Sequence, residues 1–155
     1  EACLVGSEMC IRDRDGIENL LVNFGKCCSP IPGDDLIGFV TRGRGVTVHQ
    51  ISCKSLPILN NESDRLLPVH WNVKSSESFN VGLKVTGLDY KGWLKDVSEC
   101  ISKENVNISS VDIKAKDSIA EANIIVQVKN NRQLNRLMRK ITKLKNIDYV
   151  QRVGR

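Results

Sequence analysis

The sequence predicts an α+β protein made of two small modules, a β-hairpin knuckle followed by a ferredoxin-like βαββαβ unit. Three observations predict it. Cysteines and a histidine bracket two β-rich runs between Lys26 and Cys53. A polar, serine-rich stretch, Lys74-Ser75-Ser76-Glu77-Ser78, then interrupts the apolar pattern as a linker would. From Phe79 onward, runs of period two alternate with runs of period near 3.6. The boundaries implied are 15–74 for the first module, 75–78 for the linker and 79–155 for the second.

Composition narrows the class. Hydrophobic residues make up 41% and charged residues 26% of 155, proportions of an ordinary globular chain. No apolar run reaches the ~20 residues of a membrane span, and Cys3–Val5 is too short for a secretory h-region. The six cysteines do not fall at the spacings of a disulfide-stapled miniature protein, and two are adjacent. Thiols used for metal or chemistry in the cytoplasm are therefore expected. The net charge of +5 is uneven: residues 130–155 carry eight Lys or Arg against the single acid Asp148. Such a concentration suits an anionic partner, although a solvated helix face has the same composition.

Glu8 to Asp13 back-translates as GAG ATG TGT ATA AGA GAC, similar to a transposon end used to tag DNA fragments for sequencing. Residues 1–14 are expected to be a translated artefact or a disordered leader, so Cys3 and Cys10 are not counted as ligands.

In the first module, Ile17, Leu20, Leu21 and Phe24 recur at helical spacing, with Gly25 as a C-cap. Pro30, Pro32 and Gly33 predict a tight turn after Cys27-Cys28. Leu36–Thr41 and Val46–His49 read as a hairpin closed by Arg42-Gly43-Arg44-Gly45, whose glycines supply positive φ. Cys53–Leu59 reads as a short helix limited by Pro57, and Leu66–Val73 as a third strand. Cys27, Cys28, His49 and Cys53 form a candidate metal site, since three thiolates and an imidazole suit tetrahedral zinc. The adjacent pair can converge only if the Cys27-Cys28 peptide lies in a turn. The same residues could be buried thiols and a satisfied histidine.

The stretch CCSPIPGDDLIGFVTRGRGVTVHQISC, Cys27–Cys53, resembles the zinc-finger-like module near the C-terminus of long RelA/SpoT-type proteins. These are synthetases and hydrolases of the alarmone (p)ppGpp in the stringent response. The CC, PxPGD, GF, T-x-GRGV-x-VH and H-x-x-x-C elements match in order and spacing. The resemblance implies that Cys27, Cys28, His49 and Cys53 are metal-type positions and that the module contacts ribosomal RNA. Arg42 and Arg44 at the hairpin tip, with Lys54, then become candidate phosphate contacts.

In the second module Phe79, Val81, Leu83 and Val85 lie on one strand face. Trp93, Leu94, Val97, Cys100 and Ile101 mark a helix, with Cys100 as core. Val106–Lys116 is a strand whose apolar parity switches between Ile108 and Val111, which predicts a bulge near Ser109-Ser110. Ile119–Val128 is a further strand. Leu134, Leu137, Met138, Ile141 and Leu144 form the buried face of a second helix, with Arg132, Arg136, Arg139, Lys140 and Lys143 on its other faces. Tyr149–Val153 closes the sheet.

GLDYKGWL (Gly87–Leu94) and VNISSV (Val106–Val111) are similar to the motifs of ACT domains, the amino-acid-sensing modules that end the same proteins. Tyr90 stands where an Arg is usual, and Trp93 where a small aliphatic residue is usual. The resemblance implies a ligand site formed by Asp89, Tyr90, Lys91, Gly92, Trp93, Leu94 and Asn107, taking a branched-chain amino acid. It also implies a homodimer through the ACT domain. Asp89 could equally be an N-cap-type residue and Trp93 core.

Three functions follow. The first is a regulatory region of a (p)ppGpp synthetase/hydrolase that senses ribosome and starvation state through RNA, with the catalytic domains upstream and none in this chain. It would read RNA by shape and phosphate contact, because aromatic platforms are scarce. The second is an ACT-type amino-acid-binding module that dimerises without nucleic acid. The third is a thiol enzyme using Cys27 or Cys28 with His49, for which the sequence offers neither a group to orient the histidine nor an oxyanion device.

Overall fold

A computed structural model describes residues 2–4, 9–11, 21–43, 45–56, 64–71 and 77–154. The chain divides into two compact units, Glu1–Glu77 with Arg155, and Ser78–Gly154.

Among its described residues the first unit holds six strands: β1 (Ala2–Leu4), β2 (Met9–Ile11), β3 (Val22–Phe24), β4 (Leu36–Thr41), β5 (Gly45–Gln50) and β6 (Leu66–Trp71). They form one sheet in the order β1-β2-β6-β4-β5-β3. Two short strands thus occupy part of the stretch read from the sequence as a leader. The β4–β5 hairpin pairs Leu36 with Gln50 through to Thr41 with Gly45. Its turn closes because Gly43 and Gly45 take φ of 73° and 84°, where a side chain would be strained. A Cβ on Gly45 would also lie 2.0 Å from the Leu21 carbonyl oxygen.

The helical spacing of Ile17, Leu20, Leu21 and Phe24 predicts a helix, and this is corrected at its described end. Val22–Phe24 is β3, parallel to β5; residues 17–20 lie outside the described ones. The extended form wins because it completes a ladder. The Val46 N–H donates to the Leu21 carbonyl and the Gly25 N–H to the Val48 carbonyl, both at 2.8 Å. Val22 also packs on the core of Leu36, Val46, Val48 and Val69. Phe24 stacks on Trp71, with ring centroids 5.6 Å apart and planes inclined by 11°. That contact adds about 0.5–1.5 kcal/mol beyond area burial. Of the helix expected over Cys53–Leu59, residues 57–59 lie outside the described ones. A turn begins it, with the Leu56 N–H donating to the Cys53 carbonyl at 3.1 Å.

The second unit runs β7 (Phe79–Leu88), α1 (Trp93–Lys103), β8 (Asn107–Lys116), β9 (Ile119–Val128), α2 (Asn131–Thr142) and β10 (Ile147–Val153). The sheet order is β10-β7-β9-β8 and all pairings are antiparallel. Strand alternation puts Val81, Leu83 and Val85 opposite Val126, Ile124 and Ala122. All are buried, together with Trp93, Val97 and Ile101 of α1 and Leu134, Leu137 and Ile141 of α2. This is the ferredoxin-like arrangement. The β8–β9 register shifts between Ile108 and Ser110, where the change of apolar parity predicts it. Asn130 caps α2, its side chain accepting from the Gln133 N–H at 2.9 Å. Asp89 does not cap α1: Gly92, at φ 104°, holds that position without a side-chain hydrogen bond.

Candidate metal centre and basic surfaces

The metal centre is assembled by one turn and one strand end. After β3 the chain folds back, with the Ser29 N–H donating to the Gly25 carbonyl at 2.8 Å and Ser29 itself at φ 42°. This turn answers the difficulty of adjacent cysteines. On extended backbone their side chains would point apart, whereas here both reach the same point. β5 delivers His49 from its last turnward positions, and the loop after it brings back Cys53, whose N–H donates to the Gln50 carbonyl at 3.0 Å.

The donor atoms of Cys27, Cys28, His49 and Cys53 all lie within 4.8 Å of one another. Cys27 Sγ is 3.2 Å from His49 Nδ1 and 3.4 Å from Cys53 Sγ, and Cys28 Sγ is 3.7 Å from Nδ1. Gly25 makes room for the ring, since a Cβ there would sit 2.6 Å from Nδ1. Gln50 braces the cluster: its backbone N–H donates to Cys28 Sγ at 3.4 Å and its amide to the Asp34 carboxylate at 2.9 Å. Cys28, His49 and Cys53 are buried while Cys27 is exposed. Beneath them Cys28 and Cys53 pack with Leu56 and Ile37.

Burial governs the electrostatics. It pushes the Cys28 thiol up to about 12, with the neighbouring thiols adding to the rise, and it lowers the pKa of His49, which favours the neutral imidazole. Burial opposes ionisation of Cys53 too, but hydrogen bonds from Ser55 and the other two thiols outweigh it and bring this thiol below its usual value. A neutral imidazole and three clustered thiols are the donor set of a structural Cys3His zinc site. The residues present therefore fit a divalent metal. Cys27, Cys28, His49 and Cys53 would hold it, and its chemistry there would be structural cross-linking of three segments.

Residues 14–72 match the RelA/SpoT RIS domain family, and residues 75–152 match the ACT domain family. This chain is a RelA/SpoT-type regulatory region. It is 39% identical over 139 residues to a GTP pyrophosphokinase of Myxococcus xanthus, covering 89% of this chain and 18% of that protein. It is 32% identical over 139 residues to the bifunctional (p)ppGpp synthase/hydrolase RelA of Mycobacterium tuberculosis, covering 89% and 19%. The ACT domain from a GTP pyrophosphokinase of Chlorobium tepidum is a solved relative, at 33% identity and a TM-score of 0.46, over 49% of this chain and 99% of that one. The chain thus spans under a fifth of the curated relatives it matches, and the domains matched are the two regulatory ones, with no catalytic domain among them.

In the RIS domain, Arg42 and Lys54 are exposed, Arg42 at the hairpin tip and Lys54 directly after Cys53. Arg44 lies outside the described residues. In the ACT domain the five cations of α2 and its C-cap separate into two groups, which the sequence alone does not reveal. Glu104, 6% exposed, ends α1 and takes two of them: Arg136 Nε donates to Oε2 at 2.7 Å and Lys140 Nζ donates to Oε1. Lys140 and then Arg136 hold the Glu104 carboxyl below the usual carboxylate range. Arg132, Arg139 and Lys143 are exposed, and no ion pair among the described residues takes them.

At the candidate ligand loop, backbone donors are partly committed. The Asp89 N–H donates to the Ser118 carbonyl at 2.9 Å and the Trp93 N–H to the Tyr90 carbonyl at 3.0 Å. Tyr90 donates its hydroxyl to Asp96 in the first turn of α1, which raises the phenol above its usual value. Trp93 is core, 3% exposed, with no partner for its indole Nε1 among the described residues. Lys91, Gly92 and Leu94 are exposed. Asn107 is exposed and donates to Gln127 Oε1 at 3.0 Å. Cys100 is half-buried on α1, its thiol pushed up by burial and by the charge of Glu104.

Proposed function

We propose that this region reports ribosome and starvation state to the synthetase and hydrolase domains of a longer (p)ppGpp enzyme in the cytoplasm, by binding ribosomal RNA. The observation that carries the reading is the Cys27, Cys28, His49 and Cys53 cluster. With zinc bound, these four residues tie the turn after β3, the end of β5 and the loop beyond it into one rigid base. The β4–β5 hairpin stands on that base and presents Arg42, with Lys54 beside Cys53, as phosphate contacts, to which the sequence adds Arg44. The basic helix of the ACT domain supplies a second anionic-partner surface. The names borne by the relatives, GTP pyrophosphokinase and (p)ppGpp synthase/hydrolase, support the parent activity.

Co-sedimentation with purified ribosomes tests this. The full chain is expected to pellet with ribosomes at low salt and to stay in the supernatant when Arg42, Arg44 and Lys54 are all Gln. Equal pelleting of both proteins, or none by the wild type, contradicts the reading.

A second reading is supported by the buried Trp93 Nε1, which has no partner among the described residues at the start of α1. In it the ACT domain dimerises and takes a branched-chain amino acid, with backbone groups of Tyr90 to Gly92 receiving the carboxylate and Asn107 assisting. Calorimetric titration with leucine, isoleucine and valine tests it; absence of saturable heat for all three removes it.

A further inference from the structure

We infer that Arg132, Arg139 and Lys143 form a phosphate-contacting stripe for double-helical RNA, and that Arg136 and Lys140 do not belong to it. The inference rests on the RNA reading above and deepens it by naming the surface and the form of RNA. An α-helix turns about 100° per residue, so positions seven and eleven residues beyond Arg132 return to within about 20° of it. The three cations therefore lie in one line, about 10.5 Å and 16.5 Å apart from the first. Lys143 prolongs the line because its backbone, at φ −82° and ψ −9°, is still helical.

Two alternatives fail on the same residues. Cations at a helix C-terminus are often explained by the macrodipole, and Arg139 and Lys143 alone would be. Arg132 is in the first turn, where the dipole opposes a cation, and no acid accompanies it there. Cations also serve as ion-pair partners within a fold. That role is filled by Arg136 and Lys140, about 40° and 80° further round the helix, both drawn to Glu104. Glu104 is itself at a helix C-terminus, where an anion is disfavoured; its two cations account for its presence. What remains is a line of exposed cations that no ion pair among the described residues takes, Arg139 Nε donating only to the Asn135 carbonyl of its own helix at 3.3 Å.

The form of RNA follows from what accompanies the stripe. Exposed neighbours on α2 are Asn135, Arg136, Lys140 and Thr142, with no aromatic ring. Single strands are gripped by stacking on aromatic side chains, whereas duplex RNA is read through backbone and shape.

The test compares two variants of the full chain that each lose two positive charges, Arg132→Gln/Arg139→Gln and Arg136→Gln/Lys140→Gln. Affinity for a fluorescent RNA duplex is measured against salt. Losing two phosphate contacts is expected to flatten the log–log slope by about 1.8, so that wild type loses about 12-fold more affinity than the stripe variant between 50 and 200 mM salt. The Glu104-partner variant is expected to keep the wild-type slope and to melt at lower temperature. An unmoved slope in the stripe variant, or an equal change in both, overturns the stripe while leaving ribosome binding intact. A wild type that binds neither duplex nor ribosomes overturns stripe and RNA reading together. Polyglutamate that displaces the duplex at equal charge concentration overturns RNA as the partner.

Discussion

Gly25 carries a role at the residue scale that its lack of chemistry would hide. It starts the turn that aims two adjacent cysteines at one point, and its missing Cβ leaves room for the His49 ring. Gly25→Ala is therefore expected to abolish stoichiometric metal binding, because backbone on one side and a ligand on the other leave the methyl nowhere to go. Elemental analysis of the purified variant checks this, and a full complement of metal would contradict it. The protonation states give a second expectation. A thiol must lose its proton to ligate, and burial sets the Cys28 thiol at about 12. His49 is held neutral and gives up no proton. Metal affinity should thus rise with pH, about tenfold per unit for each thiol proton released. Competition titrations against a chromophoric chelator at about pH 6.5 and 8 measure the slope; a flat profile would mean the thiols are already ionised without metal.

At the scale of elements, the ion-pair clamp on Glu104 joins α1 to α2. Glu104→Gln keeps the shape and removes the charge, and is expected to lower the melting temperature at neutral pH. The sign with pH is fixed by the direction of the shift. The folded-state carboxyl titrates below its ordinary value, so the stabilisation is complete above that ordinary value and fades as pH falls through the lowered one. The gap between wild type and Glu104→Gln should close in acid; a gap that widens would contradict the clamp. Glu104 also shows where the sequence stops being legible. Its partners lie 32 and 36 residues away, so no local pattern distinguishes Arg136 and Lys140 from their three neighbours. The grouping of Cys27, Cys28, His49 and Cys53 is legible because cysteines and a histidine bracket the hairpin, and the βαββαβ order because its periods encode it. β3 is not, because Leu21 and Phe24 satisfy a helical period while the deciding partner, β5, lies over twenty residues later. The reading of Asp89 as a cap fails for a related reason: the helix begins at Trp93, as its spacing predicts, and Gly92 rather than Asp89 holds the cap position.

At the scale of the whole molecule, the two units rest on different foundations. The ACT domain has a continuous core between four strands and two helices. Among its described residues the RIS domain has a smaller core of Leu36, Val46, Val48 and Val69 and a second cluster built on Cys28 and Cys53 of the candidate metal centre. The two α-helices with described bounds, α1 and α2, belong to the ACT domain, and in the RIS domain Leu56 is the one described residue in an α-helix. Chelation is expected to unfold the RIS domain selectively: near-ultraviolet signal from Trp71 should collapse while the far-ultraviolet helical signal persists. Loss of both signals together would show that the ACT domain depends on the metal as well. The expectation follows from the cluster built on Cys28 and Cys53, since a small core leaves a bound metal to supply a large share of stability.

The measurement that tests the central claim most directly is the zinc content of chelator-free wild-type protein beside His49→Ala. About one zinc per chain in the wild type, lost in the variant, is the outcome expected of a four-ligand centre. Wild type without zinc, or zinc retained in full by His49→Ala, would contradict that centre and remove the base on which the RNA-facing hairpin is placed.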